Sequence, residues 1–170
     1  MIYIAPNLLI GSAFHDSDKR VLDAAGITAV LQLFEGDENW PAHWQALRLP
    51  VHDGQPLACE LLRRGCEFVQ AQRKAGHMTL VACLMGQSRS STFVFACLLA
   101  GRQSHAVRTA MQQTGGLLLA DGCTPPEAWR LLKTRHPQAY PHPSLLQSLL
   151  ECYGLPYSVA ELYTLKLETE

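Results

Sequence analysis

The chain has 170 residues, of which 48% are hydrophobic and 17% are charged, and its formal net charge is −1. This length and composition predict one globular domain and exclude a disordered chain. The near-neutral charge provides no basic field for nucleic acid and no apolar run approaches membrane-spanning length, so we expect neither nucleic acid nor membrane as a partner.

The first half of the chain alternates short apolar runs with amphipathic ones. Runs rich in Val, Ile and Leu are typical of buried strands. Apolar residues at helical spacing, followed by Gly26 and Gly76, indicate two helices. The predicted strands cover 7–10, 27–33 and 46–51, the predicted helices cover 16–25 and 57–74, and Ser17 or Asp16 is the expected cap of the first helix.

The second half begins with an apolar strand at 78–82, a tight loop and a helix from Arg89. Thr124-Pro125-Pro126-Glu127 combines a capping hydroxyl, prolines in the first turn and a glutamate three residues on, which predicts a helix start. Further helices are predicted over 104–113, 124–135 and 144–153, with a connector at 117–122 and a tail or short helix at 158–170.

This alternation predicts an α/β fold, in which a single domain has a central mixed sheet of about four to five strands with helices on both faces. In such sheets ligands bind beyond the carboxyl ends of the strands. Cys83 lies at the carboxyl end of one predicted strand and Asp53 lies just past another. We therefore expect both side chains at the same edge of the sheet.

The most informative segment is Cys83-Leu84-Met85-Gly86-Gln87-Ser88-Arg89-Ser90. A strand, a tight loop and a helix N-terminus direct several backbone N–H groups at one point, and we expect phosphate or sulfate to occupy it. A cysteine there ionises and attacks readily, and an arginine can fork onto two phosphate oxygens. The alternative is a buried structural thiol beside a solvated arginine, because Cys-x5-Arg alone is a weak pattern. An arginine in the first helical turn opposes the helix dipole, which favours the anion site.

Six cysteines are spread along the chain without a Cys-x2-Cys pair. This pattern favours free thiols over a disulfide framework or a structural zinc site. Residues 1–6 lack the basic start and the long apolar stretch of a signal peptide. We therefore expect a cytoplasmic location, where a reducing environment keeps a nucleophilic Cys83 usable.

These residues resemble the cysteine-based protein phosphatases, and among them the small dual-specificity class. The resemblance rests on the Cys83 loop, on Leu49-Pro50-Val51-His52-Asp53, and on the segments AAGITAVLQL and EAWRLLKTRHPQAYPHP. It spans most of residues 1–154. We expect a catalytic domain over 1–157, followed by a C-terminal tail or short helix over 158–170.

The resemblance implies a phosphatase without metal or cofactor that hydrolyses phosphotyrosine, and phosphoserine or phosphothreonine, in proteins or small phosphomonoesters. Cys83 is the implied nucleophile that forms a phosphocysteine, and Asp53 is the implied general acid. Ser90 is implied to help the sulfur leave. The implied phosphate ligands are the Arg89 side chain and the backbone of Leu84, Met85, Gly86, Gln87, Ser88 and Arg89. A turn residue at Asp53 and a plain helix-start residue at Ser90 are the simpler alternatives.

Three features depart from the pattern of the family. The family normally has a histidine directly before the nucleophile, where it braces the loop, and here that residue is Ala82. Its absence should lower the fraction of Cys83 that is present as thiolate. The bulky Leu84 and Met85 should narrow the pocket, and the extra length at 102–123 should reshape its rim.

Ala82 leaves a second hypothesis open, a catalytically weak pseudophosphatase that binds phosphate or phosphoproteins. Retention of Cys83, Arg89 and Asp53 together favours the enzyme, because binding alone requires neither a nucleophile nor an acid. A rhodanese-like sulfur transferase also uses a cysteine loop. The acid loop before the helix at 57–74 and the order of the strands favour the phosphatase over this third hypothesis.

Overall fold

A five-stranded mixed sheet organises the protein, whose computed structural model describes residues 1–13, 18–36, 38–99 and 123–165. The spatial order is β1-β2-β5-β3-β4, and only β1 runs antiparallel to its neighbour. The central strand β5 pairs with β2 on one side and β3 on the other. The strands are β1 Ile2–Ala5, β2 Leu8–Ser12, β3 Ile27–Gln32, β4 Gln45–Arg48 and β5 Met78–Cys83.

Helices cover both faces of the sheet, which confirms the predicted α/β fold. The capping box predicted at Thr124 is present, because its side chain accepts from the backbone N–H of Glu127 while the glutamate side chain accepts from the backbone of Thr124. The helices within the described residues are α1 Lys19–Ala24, α2 Cys59–Lys74, α3 Arg89–Leu99, α4 Pro125–Arg135, α5 Pro143–Cys152 and α6 Val159–Thr164.

The two faces carry unequal cores. One face is covered by α1, whose Leu22 packs in a small apolar cluster with Trp44, Leu80 and Ala82. The other face carries the main cluster, with α3 at its centre, and every residue of α3 is buried. Successive side chains of a strand point to opposite faces, so Ala82 lies in the small cluster while Cys83 faces α3.

Several predicted boundaries were wrong by a few residues. The cap of α1 is Asp18, whose side chain accepts from the N–H of Arg20, and the predicted caps Asp16 and Ser17 lie outside the described residues. The strand predicted at 46–51 covers Gln45–Arg48, and strand β1 was not predicted. The predicted helix at 104–113, the connector at 117–122 and the insertion up to residue 122 also lie outside the described residues.

The cysteines include one pair that the sequence did not reveal. Cys59, at the start of α2, and Cys152, at the end of α5, form a disulfide across 93 residues of sequence, whereas free thiols were expected. Cys66 and Cys83 are free thiols.

Two features are absent from the described residues. No helix there is long and apolar enough to cross a bilayer. In the same part of the chain, no group of three or more His, Cys, Asp or Glu side chains is placed to hold a metal ion.

Candidate active site

The segment between β5 and α3 forms a loop. Hydrogen bonds donated by the end of β2 and by the residue that follows β2 hold the first carbonyl groups of this loop. The N–H of Ala13 donates to the carbonyl of Cys83 at 2.9 Å. The hydroxyl of Ser12 donates to the carbonyl of Leu84 at 2.7 Å. In a planar trans peptide the N–H points away from the carbonyl, so the amides of residues 84 and 85 face the inside of the loop.

The second half of the loop is held in the same way from residues after α4. The imidazole Nε2 of His136 lies 2.8 Å from the carbonyl oxygen of Gly86. The N–H of Tyr140 donates to the carbonyl of Gln87 at 2.9 Å. The amides of residues 87 and 88 therefore also face inwards. Several N–H groups at the start of a helix converge on one point, which is the arrangement that binds an oxyanion.

Cys83 lies at the base of this loop and is 2% exposed. Its sulfur accepts a hydrogen bond from the N–H of Gly86 at 3.2 Å and lies 3.3 Å from the hydroxyl oxygen of Ser90. Both contacts, together with the N-terminus of α3, stabilise negative charge on the sulfur. The structure thus brings the predicted nucleophile and the predicted Ser90 into direct contact.

Arg89 begins α3 and is 8% exposed. One guanidinium nitrogen, Nη1, donates to the carbonyl oxygens of Leu33 and Val51 at 3.2 and 3.1 Å, which fixes the plane of the group. Its Nε is buried and has no hydrogen-bond partner among the described residues. A buried donor without a partner is costly, so this geometry suits an oxyanion bound beside Nε.

Asp53 reaches the loop from the segment after β4. One carboxylate oxygen accepts a hydrogen bond from the hydroxyl of Ser88 at 2.6 Å, and the other lies 3.8 Å from Nε of Arg89. The Ser88 hydroxyl oxygen in turn accepts from the N–H of His142 at 3.0 Å. The acid-bearing segment, the loop and the residues after α4 are therefore connected through one hydroxyl group.

A cleft of about 220 Å³ lies over Cys83. Met85 and Tyr140 form much of its exposed rim, with 50% and 59% of their surfaces accessible. The ring of Tyr140 stacks on Tyr163 of α6 with centroids 5.3 Å apart. The residues lining the cleft are Asp53, Cys83, Met85, Gln87, Ser88, Arg89, Tyr140 and His142.

The two bulky loop residues, Leu84 and Met85, line different clefts. Met85 lines the cleft over Cys83. Leu84 instead lines a neighbouring cleft of about 330 Å³, together with Phe34, Glu35 and His52. Asp53 and Arg89 contribute to both clefts. Leu84 therefore does not line the Cys83 cleft, which it was expected to narrow.

Three residues of the site were not predicted from the sequence: His136, Tyr140 and His142. The proline-rich spacing between α4 and α5 was the available signal, since it forces an irregular connection that exposes backbone groups to a neighbour.

The chain is similar to known proteins over most of its length. A sequence model of the family described as "Dual specificity phosphatase, catalytic domain" matches residues 8–154. Dual specificity protein phosphatase 2 of Mus musculus is 36% identical over 112 residues, which cover 63% of this chain and 33% of that protein. The matched part thus spans about a third of the length of this relative.

Solved structures share the fold. Human DUSP28 superimposes with a TM-score of 0.69 at 24% identity, over 91% of this chain and 96% of that one. A mouse putative dual specificity phosphatase, crystallised in complex with zinc tungstate, gives a TM-score of 0.71 at 24% identity, over 90% and 86% of the two chains.

Proposed function

The chain belongs to the dual specificity phosphatase catalytic-domain family, and on this basis we propose that it is a cysteine-based protein phosphatase that needs no metal. The observation that carries the proposal is that Cys83, Arg89 and Asp53 line one cleft. A nucleophile, an oxyanion ligand and an acid in one cleft are the three groups that transfer of a phosphoryl group to the enzyme requires.

In the first step the thiolate of Cys83 attacks phosphorus. An S–P bond forms, the P–O ester bond breaks, and Asp53 gives its proton to the departing oxygen, which leaves as an alcohol or phenol. Arg89 and the inward-facing loop amides hold the nonbridging oxygens while their charge develops. The fixed guanidinium plane and the bound carbonyl groups keep these donors in place before substrate arrives.

In the second step water attacks the phosphocysteine. Asp53, now a carboxylate, takes a proton from the water as the new P–O bond forms, and the S–P bond breaks. The hydroxyl of Ser90, 3.3 Å from the sulfur, stabilises the departing thiolate. Inorganic phosphate leaves, and Cys83 and Asp53 return to their starting states.

We propose phosphotyrosine as the principal substrate in proteins, with phosphoserine and phosphothreonine as further substrates. The names of the relatives support dual specificity. We further propose that tungstate, the oxyanion named with the mouse relative, binds the Cys83 loop of this chain.

Hydrolysis of p-nitrophenyl phosphate and of a phosphotyrosine peptide, both with chelator present, tests the proposal. Cys83→Ser should abolish turnover, whereas Cys123→Ser, a substitution of a cysteine that does not line the cleft, should retain it. Asp53→Asn should lose about 10²- to 10⁴-fold on the peptide and less on p-nitrophenyl phosphate, whose leaving group needs less protonation. Wild-type turnover equal to that of Cys83→Ser would instead identify a phosphate-binding pseudophosphatase.

We also propose that the active enzyme works in the reducing cytoplasm, because Cys83 must remain a thiol to attack. The Cys59–Cys152 bond is a feature that such a compartment would tend to open.

A further inference from the structure

The connector between α4 and α5, residues 136–142, runs against the outer side of the loop. It contacts three consecutive loop residues, two through its backbone and one through a side chain. That side chain is His136, so His136 is the contact that a substitution can remove. The three contacts are His136 to the carbonyl of Gly86, the N–H of Tyr140 to the carbonyl of Gln87, and the N–H of His142 to the hydroxyl of Ser88.

The surroundings of His136 fix the tautomer and the charge of its imidazole. It is 3% exposed, and the residue caps α4 through a hydrogen bond from its N–H to the carbonyl of Leu132 at 2.8 Å. A carbonyl oxygen only accepts hydrogen bonds, so Nε2 must carry the proton that lies between the ring and Gly86. Burial lowers the pKa of His136, which keeps the ring neutral near pH 7.

The contacted peptide is one that can easily turn over. Gly86 has φ of +71°, and glycine has no Cβ to restrict which way its peptide groups face. If the peptide between Gly86 and Gln87 turned over, the carbonyl would enter the loop and the N–H of Gln87 would leave it. A hydrogen bond that keeps the carbonyl oxygen on the outer side of the loop prevents that rotation, and the ring of His136 donates this bond.

We propose that His136 is a positioning residue, which keeps the Gly86–Gln87 peptide oriented so that the N–H of Gln87 points at the phosphoryl oxygens. This inference rests on the proposed function. It also identifies what braces the loop in place of the histidine that Ala82 replaces. Ala82 is 3% exposed in the apolar cluster on the α1 face, where its methyl group packs against hydrocarbon, so the brace comes from the other end of the chain.

Three substitutions of His136 separate the hydrogen bond from the bulk of the ring. His136→Leu removes the donor and keeps a similar volume. His136→Gln keeps an N–H near the position of Nε2. His136→Asn also carries an amide, but its side chain is one methylene shorter and does not reach the carbonyl of Gly86. We expect kcat/KM to fall about 10- to 100-fold in the Leu and Asn variants and to stay within about threefold in the Gln variant.

Two further readouts report on the loop itself. In a Cys83→Ser background, tungstate affinity measured by calorimetry should fall about 10-fold with His136→Leu and stay within about twofold with His136→Gln. With Cys83 present, alkylation by iodoacetamide at one fixed pH should be slower in the Leu variant, because a carbonyl turned into the loop repels the attacking sulfur. A purely structural role would change neither quantity.

His77→Leu is the matched control. His77 hydrogen-bonds the Thr28 hydroxyl at 2.9 Å and lies at the opposite end of β5 from the loop. This variant should lose stability and keep both turnover and tungstate affinity.

The outcomes are distinct. An inactive wild type would overturn the proposed function, while loss of tungstate affinity in His136→Leu would still support the inference. An active wild type with equal kcat/KM in the Gln, Asn and Leu variants would overturn the inference alone. If His136→Leu does not fold, the Gln and Asn pair decides: equal activity in both overturns the inference, and loss confined to Asn supports it.

Discussion

Replacing Gly86 by alanine should expose how much of the chemistry depends on backbone geometry. Gly86 has φ of +71°, a left-handed backbone that costs an L side chain about 1–2 kcal/mol. An added Cβ would also lie 3.0 Å from the carbonyl oxygen of Gly11. That atom belongs to the backbone of β2 and cannot rotate away, so relieving the contact costs about a further 1–3 kcal/mol.

Gly26→Ala is the matched control for the backbone cost. Gly26 has φ of +80°, and an added Cβ would meet no atom within 4 Å. This variant should lose only the cost of the left-handed backbone and keep full activity. Gly86→Ala should be less stable than Gly26→Ala by about 1–3 kcal/mol, and its Tm should be lower by roughly 3–9 °C.

The catalytic effect should be larger than the loss of stability suggests. A shift of Gly86 withdraws its N–H from the Cys83 sulfur, 3.2 Å away, and tilts the neighbouring amides. Loss of one such donor lowers kcat by about 10²- to 10³-fold. Urea unfolding and p-nitrophenyl phosphate turnover well below Tm measure both effects. The reasoning is refuted if the two glycine variants are equally stable, or if kcat of Gly86→Ala stays within about threefold of wild type.

Three further predictions concern packing, pH and the disulfide. Gly65→Ala should lower the free energy of unfolding by about 1–3 kcal/mol and leave kcat unchanged, because the new Cβ would lie 2.3 Å from a ring carbon of buried Phe93; an unchanged urea midpoint would contradict this. Burial lowers the pKa of His136 below its ordinary value of 6.5, so its contribution to stability should be complete above pH 6.5 and be lost as the pH falls below it. Urea midpoints at about pH 7.5 and about pH 5.5 should therefore differ more in wild type than in His136→Gln. Reduction of the Cys59–Cys152 bond should lower the free energy of unfolding by about 2–4 kcal/mol, and the Cys59→Ser, Cys152→Ser double variant should show no further loss on reduction.

The central part of the site could be predicted because its placement follows from local chemistry. A strand, a glycine-containing loop and a helix in direct succession place Cys83 and Arg89 at the same end of the sheet. Asp53 follows from a second general rule, since parallel strands end at the same edge of a sheet. The resemblance to the family then assigned roles that the geometry now supports.

The remainder of the site could not be predicted because it depends on contacts between distant residues. His136 reaches Gly86 from 50 residues away, and its segment has neither helical nor strand periodicity. Cys59 and Cys152 approach only after α2 and α5 have packed together. Strand β1 was missed although Asn7, with φ of 57°, marks a turn after Pro6, a combination that typically joins two strands.

The loop's supports also determine when it takes shape during folding. Ser12 lies 72 residues from the carbonyl of Leu84 that it holds, and His136 lies 50 residues from Gly86 on the other side. Contacts between such distant parts of a chain form slowly, since other contacts must first offset the entropy lost in closing the intervening loop. Recovery of tungstate binding in a refolding experiment would therefore report completion of the whole domain rather than formation of its central strands. On the ribosome, the protein should have no competent loop until residue 136 has emerged and docked.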